Sequence, residues 1–282
     1  MPGRVGVIGG GRMGAGIAHA FVLAGARVVI VERDEDAADA ASTRLLESLR
    51  RSVERGAADR TADELAAAVE TATDVAALAG CGLVIEAVPE DRALKIDALT
   101  RAEAVLAPEG ALATNTSSIS IDELATALGR PGRFLGLHFF NPVPASQLVE
   151  VVVGTATEAA LVDDARAWVD GIGKTAVVVR DSPGFASSRL GVALGLEAIR
   201  MLEEGVASAA DIDAAMELGY RHPVGPLRTT DLVGLDVRLA IAEELHRELG
   251  DRFAPPDLLR RLVAAGHLGR KSGRGFYEWS DQ

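Results

Sequence analysis

The chain has 282 residues, 48% apolar and 25% charged side chains and a formal net charge of −12. This is the profile of a water-soluble globular protein with room for one large domain or two unequal ones, and its acidity argues against nucleic acid or an anionic membrane as partner. A single cysteine, Cys81, excludes an intrachain disulfide and a cysteine-built metal cluster, so no metal site is expected and Cys81 reads as a small buried residue at a strand start.

The N-terminal "MPGRVGVIGGG" enters a glycine-rich motif at once, so no signal peptide is visible and a cytoplasmic protein is expected. "RVGVI" (4–8) is a short β-branched strand, and "MGAGIAHAFVLAG" (13–25) has helical spacing that stops at Gly25. "RVVIVE" (27–32) is a second strand. The segment 34–56 reads as a long charged helix, and Thr61 with Glu64 forms a capping box. "GLVIEAV" (82–88) is a buried-type strand, followed by a helix over 92–106. The runs 111–116, 134–140, 148–153 and 175–179 complete the strands. Apolar strands alternating with helices predict an α/β fold of Rossmann type, with a doubly wound, mainly parallel sheet.

After Pro183 no convincing strand occurs up to residue 267. Segments 189–205, 208–219, 225–250 and 255–266 read as helices, with Gly205, Gly219, Gly250 and Gly266 where helix stops belong. Two domains are therefore expected: 1–184 for nucleotide binding, and 185–282 all-helical.

The strand–turn–helix at the N-terminus contains Gly9-x-Gly11-x-x-Gly14. In that context Gly9 makes the tight turn, Gly11 lets the backbone approach a pyrophosphate, and Gly14 lets helix and strand pack closely. The helix N-terminus adds free N–H groups and a positive dipole end. Glu32 ends the next strand, 18 residues past Gly14, where a carboxylate accepts from ribose hydroxyls and repels a 2′-phosphate, so NAD is expected over NADP.

Ligands of open α/β sheets bind at the carboxyl ends of the strands. "ATNTSSI" sets Asn115, Ser117 and Ser118 just after one strand, and "GLHFFNPVP" sets His138 in another with Asn141 at its end. Glu150 lies inside the next apolar strand, where a charge is costly unless paired. A His138–Glu150 pair would be a general base for a hydroxyl losing its proton as hydride leaves the same carbon. The other histidines, His19, His222, His246 and His267, read as structural or surface residues.

"VIGGGRMGAGIA", "VIEAVPE", "NTSSI", "HFFNPVP" with "LVEVV", "DSPGF" and "GRKSGRGFY", in this order across almost the whole chain, resemble the L-3-hydroxyacyl-CoA dehydrogenases, including bacterial 3-hydroxybutyryl-CoA dehydrogenases. The resemblance implies an NAD-dependent oxidation of a short (S)-3-hydroxyacyl thioester by a homodimer whose helical domain carries substrate and dimer contacts. It implies His138 as general base, Glu150 as its support and Ser117 as a hydrogen-bonding group near the reacting oxygen. Gly9, Gly11, Gly14 and Glu32 would hold the cofactor, although the family usually has Asp at the last position. Glu90, Lys95, Asn115, Asn141 and Lys271 match further cofactor-site positions. Ser48 and Arg55 match positions that touch coenzyme A, with Arg replacing the family's usual Lys.

One departure stands out. Where the family reads Gly-Phe-x-x-Asn-Arg, with a catalytic-site Asn that hydrogen-bonds the substrate, this chain has Gly184 to Arg189 with Ser188 in the place of the Asn, so the resemblance puts Ser188 among the catalytic residues. Serine keeps one donor and one acceptor but loses the amide's reach. The expectation is a reduced rate or a substrate with an extra polar group. An acyl-carrier-protein thioester, a free hydroxy acid, and a non-catalytic NAD-binding protein are the competing readings.

Overall fold

The computed structural model describes residues 1–279 and divides into two compact units, Met1–Ser182 and Pro183–Gln282. The first unit is built on one sheet of eight strands: β1 (Arg4–Ile8), β2 (Arg27–Val31), β3 (Val69–Ala72), β4 (Leu83–Glu86), β5 (Ala111–Thr114), β6 (Phe134–Phe139), β7 (Leu148–Val153) and β8 (Thr175–Arg180). Their order is β3-β2-β1-β4-β5-β6-β7-β8. The six strands from β3 to β6 are mutually parallel, and β7 pairs antiparallel with β6 and parallel with β8. Every residue of β4, β5 and β6 is buried, which is why these segments read as unbroken apolar runs.

Helices α1 (Arg12–Leu23), α2 (Glu35–Glu54), α3 (Ala62–Ala66), α4 (Arg92–Val105), α5 (Ile121–Ala125) and α6 (Ala159–Gly171) connect the strands. Ile17, Phe21, Leu45, Leu49, Leu161 and Trp168 join the inward faces of α1, α2 and α6 to the strand core. The capping box at Thr61 and Glu64 is present and starts α3.

The sequence pattern misses three elements of this unit. The strand β3 is "VETA", four residues on the sheet edge with none fully buried, so neither length nor alternation marks it. The pattern does not mark the helices α5 and α6 either. The topology requires α6, because β7 and β8 are parallel neighbours and need a crossover.

The second unit is helical: α7 (Ser187–Glu203), α8 (Ala209–Tyr220), α9 (Pro226–Val233), α10 (Leu235–Leu249) and α11 (Asp257–Ala264). The expected single helix 225–250 is two helices, because Gly234 takes φ +106° between α9 and α10. Gly205, Gly250 and Gly266 end helices at positive φ as expected, but Gly219 does not. The helix α8 runs through it to Tyr220, and Arg221 takes the left-handed cap at φ 60°. The C-terminal "GRKSGRGFY" is shaped by Asp231 on α9. Its carboxylate accepts from the backbone N–H of Phe276 and Tyr277 and from the Trp279 indole. A side chain on Gly275 would overlap that carboxylate, so the glycine is a packing requirement here.

Candidate active site

The parallel strands β1, β4, β5 and β6 end at one edge of the sheet, and their outgoing loops lie side by side there. The first loop carries the glycine triplet. Gly9 sits at φ +90°, and a Cβ on it would come within 2.9 Å of the Ala87 carbonyl oxygen. A Cβ on Gly14 would stand 1.8 Å from the Gly9 oxygen, whereas one on Gly11 would meet nothing within 4 Å. The three glycines thus divide into turn, open approach and close packing, as the motif requires. Gly11 is the N-cap of α1, makes no side-chain cap, and is followed by a first turn without acidic residues. A dinucleotide pyrophosphate fits that open, positively polarised helix end.

Glu32, just past β2, accepts a hydrogen bond from the backbone N–H of Gly10 at 2.6 Å. The Glu32 carboxylate and the glycine-rich loop are therefore mutually fixed, a link invisible in the sequence. Arg33 is turned into an exposed ion pair with Asp34, the N-cap of α2.

The loops after β4 and β5 are tied together by carboxylates. Glu90 accepts from the Thr116 hydroxyl at 2.5 Å, the Ser117 N–H at 2.9 Å, and the Ser118 N–H and hydroxyl at 3.1 and 3.0 Å. Burial alone would raise its pKa, but Lys95 and these donors outweigh it and hold the carboxyl below its ordinary range. Lys95, almost fully buried, donates to Glu86 at 2.8 and 3.1 Å and pairs with Glu90 at 3.2 Å. Glu86 is the residue that sequence reasoning missed. It is wholly buried and also accepts from Val88 N–H and the Thr114 hydroxyl, both at 2.6 Å. The signal was a second carboxylate inside the apolar run of "VIEAVPE".

Asn115 uses its Oδ1 to accept from the Phe139 N–H at 2.9 Å, which stitches the end of β5 to the residue after His138. Because β6 and β7 are antiparallel, His138 and Glu150 are directly opposite in the register. His138 Nδ1 lies 2.8 Å from Glu150 Oε2, and both side chains are buried. The Phe140 ring packs against the imidazole at 4.5 Å between centroids. Asn141, exposed, precedes the cis bond to Pro142 that ends this stretch.

Half-buried Ser48 on α2 and exposed Arg55, its C-cap, are seven residues apart and lie on the side of the helix that carries Ser52. His19 on α1, 2% exposed, is tied to that face by a 2.8 Å hydrogen bond between its Nε2 and the Ser52 hydroxyl. Burial, with nearby Lys174, pushes the His19 pKa down to about 4. Lys174 is itself lowered by burial and donates to the Val143 and Ser146 carbonyls of the loop after Asn141.

Gly9, Gly11, Gly14, Glu32, Glu90, Lys95, Asn115, Ser117, His138, Asn141, Glu150, Ser48 and Arg55 all belong to the sheet unit. Ser188 and Lys271 belong to the helical unit. Ser188 lies in the first turn of α7, and Lys271 pairs with Asp236 of α10 at 2.6 Å. Among the described residues no cluster of three or more metal-binding side chains occurs, and no helix is long and apolar enough to cross a membrane.

Among known proteins, residues 4–182 match the family described as 3-hydroxyacyl-CoA dehydrogenase, NAD binding domain, and residues 184–279 match the 3-hydroxyacyl-CoA dehydrogenase C-terminal domain. The 3-hydroxybutyryl-CoA dehydrogenase of Mycobacterium tuberculosis is 43% identical over 280 residues, covering 98% of each chain. A probable 3-hydroxybutyryl-CoA dehydrogenase of Deinococcus radiodurans is 42% identical over 277 residues, covering 98% of this chain and 100% of its own. The crystal structure of (S)-3-hydroxybutyryl-CoA dehydrogenase from Ralstonia eutropha superposes with a TM-score of 0.94 at 38% identity and full coverage of both chains.

Proposed function

This chain belongs to the 3-hydroxyacyl-CoA dehydrogenase family of NAD-dependent oxidoreductases, and we propose that it interconverts (S)-3-hydroxybutyryl-CoA and the corresponding 3-oxoacyl-CoA, with residues 1–184 holding the cofactor and 185–282 serving substrate and dimer contacts. The observation that carries this reading is the buried His138–Glu150 pair, 2.8 Å apart, at the strand edge that also presents the glycine-rich loop.

In the oxidising direction the Nδ1 proton of His138 is held by the Glu150 carboxylate, which makes Nε2 the basic nitrogen of the imidazole. Nε2 takes the proton of the substrate 3-hydroxyl, and Glu150 stabilises the imidazolium that forms. When bound, NAD supplies the acceptor for the hydrogen that leaves C3. Ser117 hydrogen-bonds the reacting oxygen, from a loop that Glu90 and Lys95 hold in place. In the reducing direction His138 returns the proton as an acid. Asn115 and Asn141 line the cofactor site.

The CoA carrier, rather than an acyl carrier protein, is favoured by Ser48 on α2 and Arg55 at its C-cap, since a guanidinium grips phosphate in a bidentate manner. Dimer formation is favoured by the apolar side chains that the helical unit exposes, with Leu190 at 70%, Leu218 at 83% and Tyr220 at 76%.

The test is a steady-state assay with NAD⁺ that compares (S)-3-hydroxybutyryl-CoA, its (R) isomer and the same acyl group on a carrier protein. Turnover of the (S)-CoA thioester in clear preference is expected. Absence of turnover on every 3-hydroxyacyl thioester removes the dehydrogenase reading, and preference for the carrier-protein thioester removes the CoA reading.

A further inference from the structure

Among the described residues of the helical unit, the buried charge of Arg238 finds no partner. Arg238, on α10, is 6% exposed. Among the described residues no carboxylate forms an ion pair with it, and its buried Nε has no hydrogen-bond partner. Burial pushes its pKa down to about 10, with no opposing charge acting to raise it. A buried guanidinium without a counter-charge is strongly unfavourable, and a satisfied one is held by an anion.

The guanidinium has a direction. Its Nε lies 3.7 Å from where a Cβ on Gly195 would stand, and its Nη1 3.6 Å from where a Cβ on Gly191 would stand. The side chain therefore lies along α7, from Gly195 toward Gly191, in space that larger side chains at these positions would narrow. The next position on that face toward the helix start is Ser188, because 188, 191 and 195 follow helical spacing. The arginine thus points at the N-terminal turn of a 17-residue helix whose first turn carries no acidic residue, an end that favours negative charge. Thr230, beside Gly195, spends its hydroxyl on the Pro226 carbonyl at 2.8 Å and leaves the guanidinium unanswered.

We propose that Arg238, with the Ser188 turn of α7, binds a carboxylate on the acyl chain of the substrate, so that the enzyme takes the 3-hydroxyacyl thioester of a dicarboxylic acid. This rests on the reading that gives Ser188 a place at the substrate. The shorter serine, where the family carries an asparagine, leaves room for the additional group. Arginine's planar fork meets a carboxylate with two parallel hydrogen bonds. A small-molecule carboxylate is favoured over one from a second copy of the chain. Arg238 is sunk against α7, whereas its neighbour Val237, 42% exposed, is the residue that faces outward on α10.

The test compares 3-hydroxyhexanedioyl-CoA with 3-hydroxyhexanoyl-CoA, which have equal chain length and differ in the terminal carboxylate. The expected ratio of kcat/KM is roughly 10–100 in favour of the diacid, the range of a charge-assisted hydrogen bond. In Arg238→Met the ratio falls to about one or below, and the loss appears in KM. A parallel binding arm follows the thermal shift that unreactive hexanedioyl-CoA and hexanoyl-CoA produce with NADH present. A wild-type protein that treats the two chains alike in both arms overturns the proposal, as does a preference that survives in Arg238→Met. A variant that changes sedimentation but not the ratio also overturns it, and assigns Arg238 to contact with a second copy. Turnover of 3-hydroxybutyryl-CoA without discrimination leaves the dehydrogenase reading standing and this one fallen. Preferential binding of the diacid without any turnover does the reverse.

Discussion

Three cations are buried among the described residues, and they are treated differently: Lys174 of the sheet unit is held by two backbone carbonyls, whereas Lys95 of the same unit and Arg238 of the helical unit are treated in opposite ways. In the sheet unit Lys95 is 1% exposed and meets a fully buried carboxylate, Glu86, at 2.8 Å, with Glu90 at 3.2 Å behind it. In the helical unit Arg238 is nearly as buried and meets no carboxylate among the described residues. Charge burial is tolerated when geometry and hydrogen bonds compensate the lost hydration. The sheet unit completes its own electrostatics, and the completed network fixes the loops that carry Ser117 and Glu90. The helical unit leaves its charge unanswered, which marks the place where an outside anion completes the structure. The two buried histidines repeat the contrast within the sheet unit, since His138 is held by a carboxylate and His19 by a serine hydroxyl.

The contrast breaks most readily at Lys95. Lys95→Met leaves Glu86 as an unpaired buried charge and is expected to cost about 3–5 kcal/mol in chemical denaturation. A loss below 1 kcal/mol shows that the network is not what holds the loops. His19 provides the next largest effect. Its folded pKa of about 4 lies below the ordinary 6.5, so between these values the unfolded chain binds the proton and the folded protein does not. Its stabilising contribution is therefore complete above pH 6.5 and is lost as pH falls toward 4, by on the order of 3 kcal/mol. Denaturation curves at pH 7 and pH 4 should show His19→Gln losing less on acidification than the wild type, and equal losses refute the assignment.

Ser188→Asn restores a second donor at the Ser188 position, and kcat/KM on 3-hydroxybutyryl-CoA is expected to rise by about tenfold, the upper range of one neutral hydrogen bond. A fall instead shows that the serine is adapted to another acyl chain. The smallest effect belongs to Arg238→Met without ligand. Removing an unanswered charge while keeping an apolar stem leaves stability within about 1 kcal/mol or raises it. A loss as large as that of Lys95→Met contradicts the contrast.

Much of this arrangement is legible along the chain, because it rests on local rules. The glycine triplet needs only its own backbone, and the His138–Glu150 pair follows from a charge inside an apolar strand beside a histidine strand. The remainder depends on pairings set by the fold. "VETA" forms a strand only because β2 offers it an edge. Gly234 breaks a continuous helical pattern through a backbone angle that hydrophobic spacing does not report. Glu32 reaches back to Gly10 across 22 residues. Arg238 reads as one more charge on an amphipathic helix, and its burial emerges only when α7 brings Gly191 and Gly195 against it. Even the Ser188 departure becomes informative chiefly because that guanidinium points along its helix.

Catalysis in this chain depends on His138 as the base. The most direct measurement is kcat with (S)-3-hydroxybutyryl-CoA and NAD⁺ for wild type and His138→Gln, alongside NADH binding by fluorescence titration. The account predicts a fall in kcat of roughly 10²–10⁴-fold with NADH affinity retained. Full turnover in His138→Gln would contradict it.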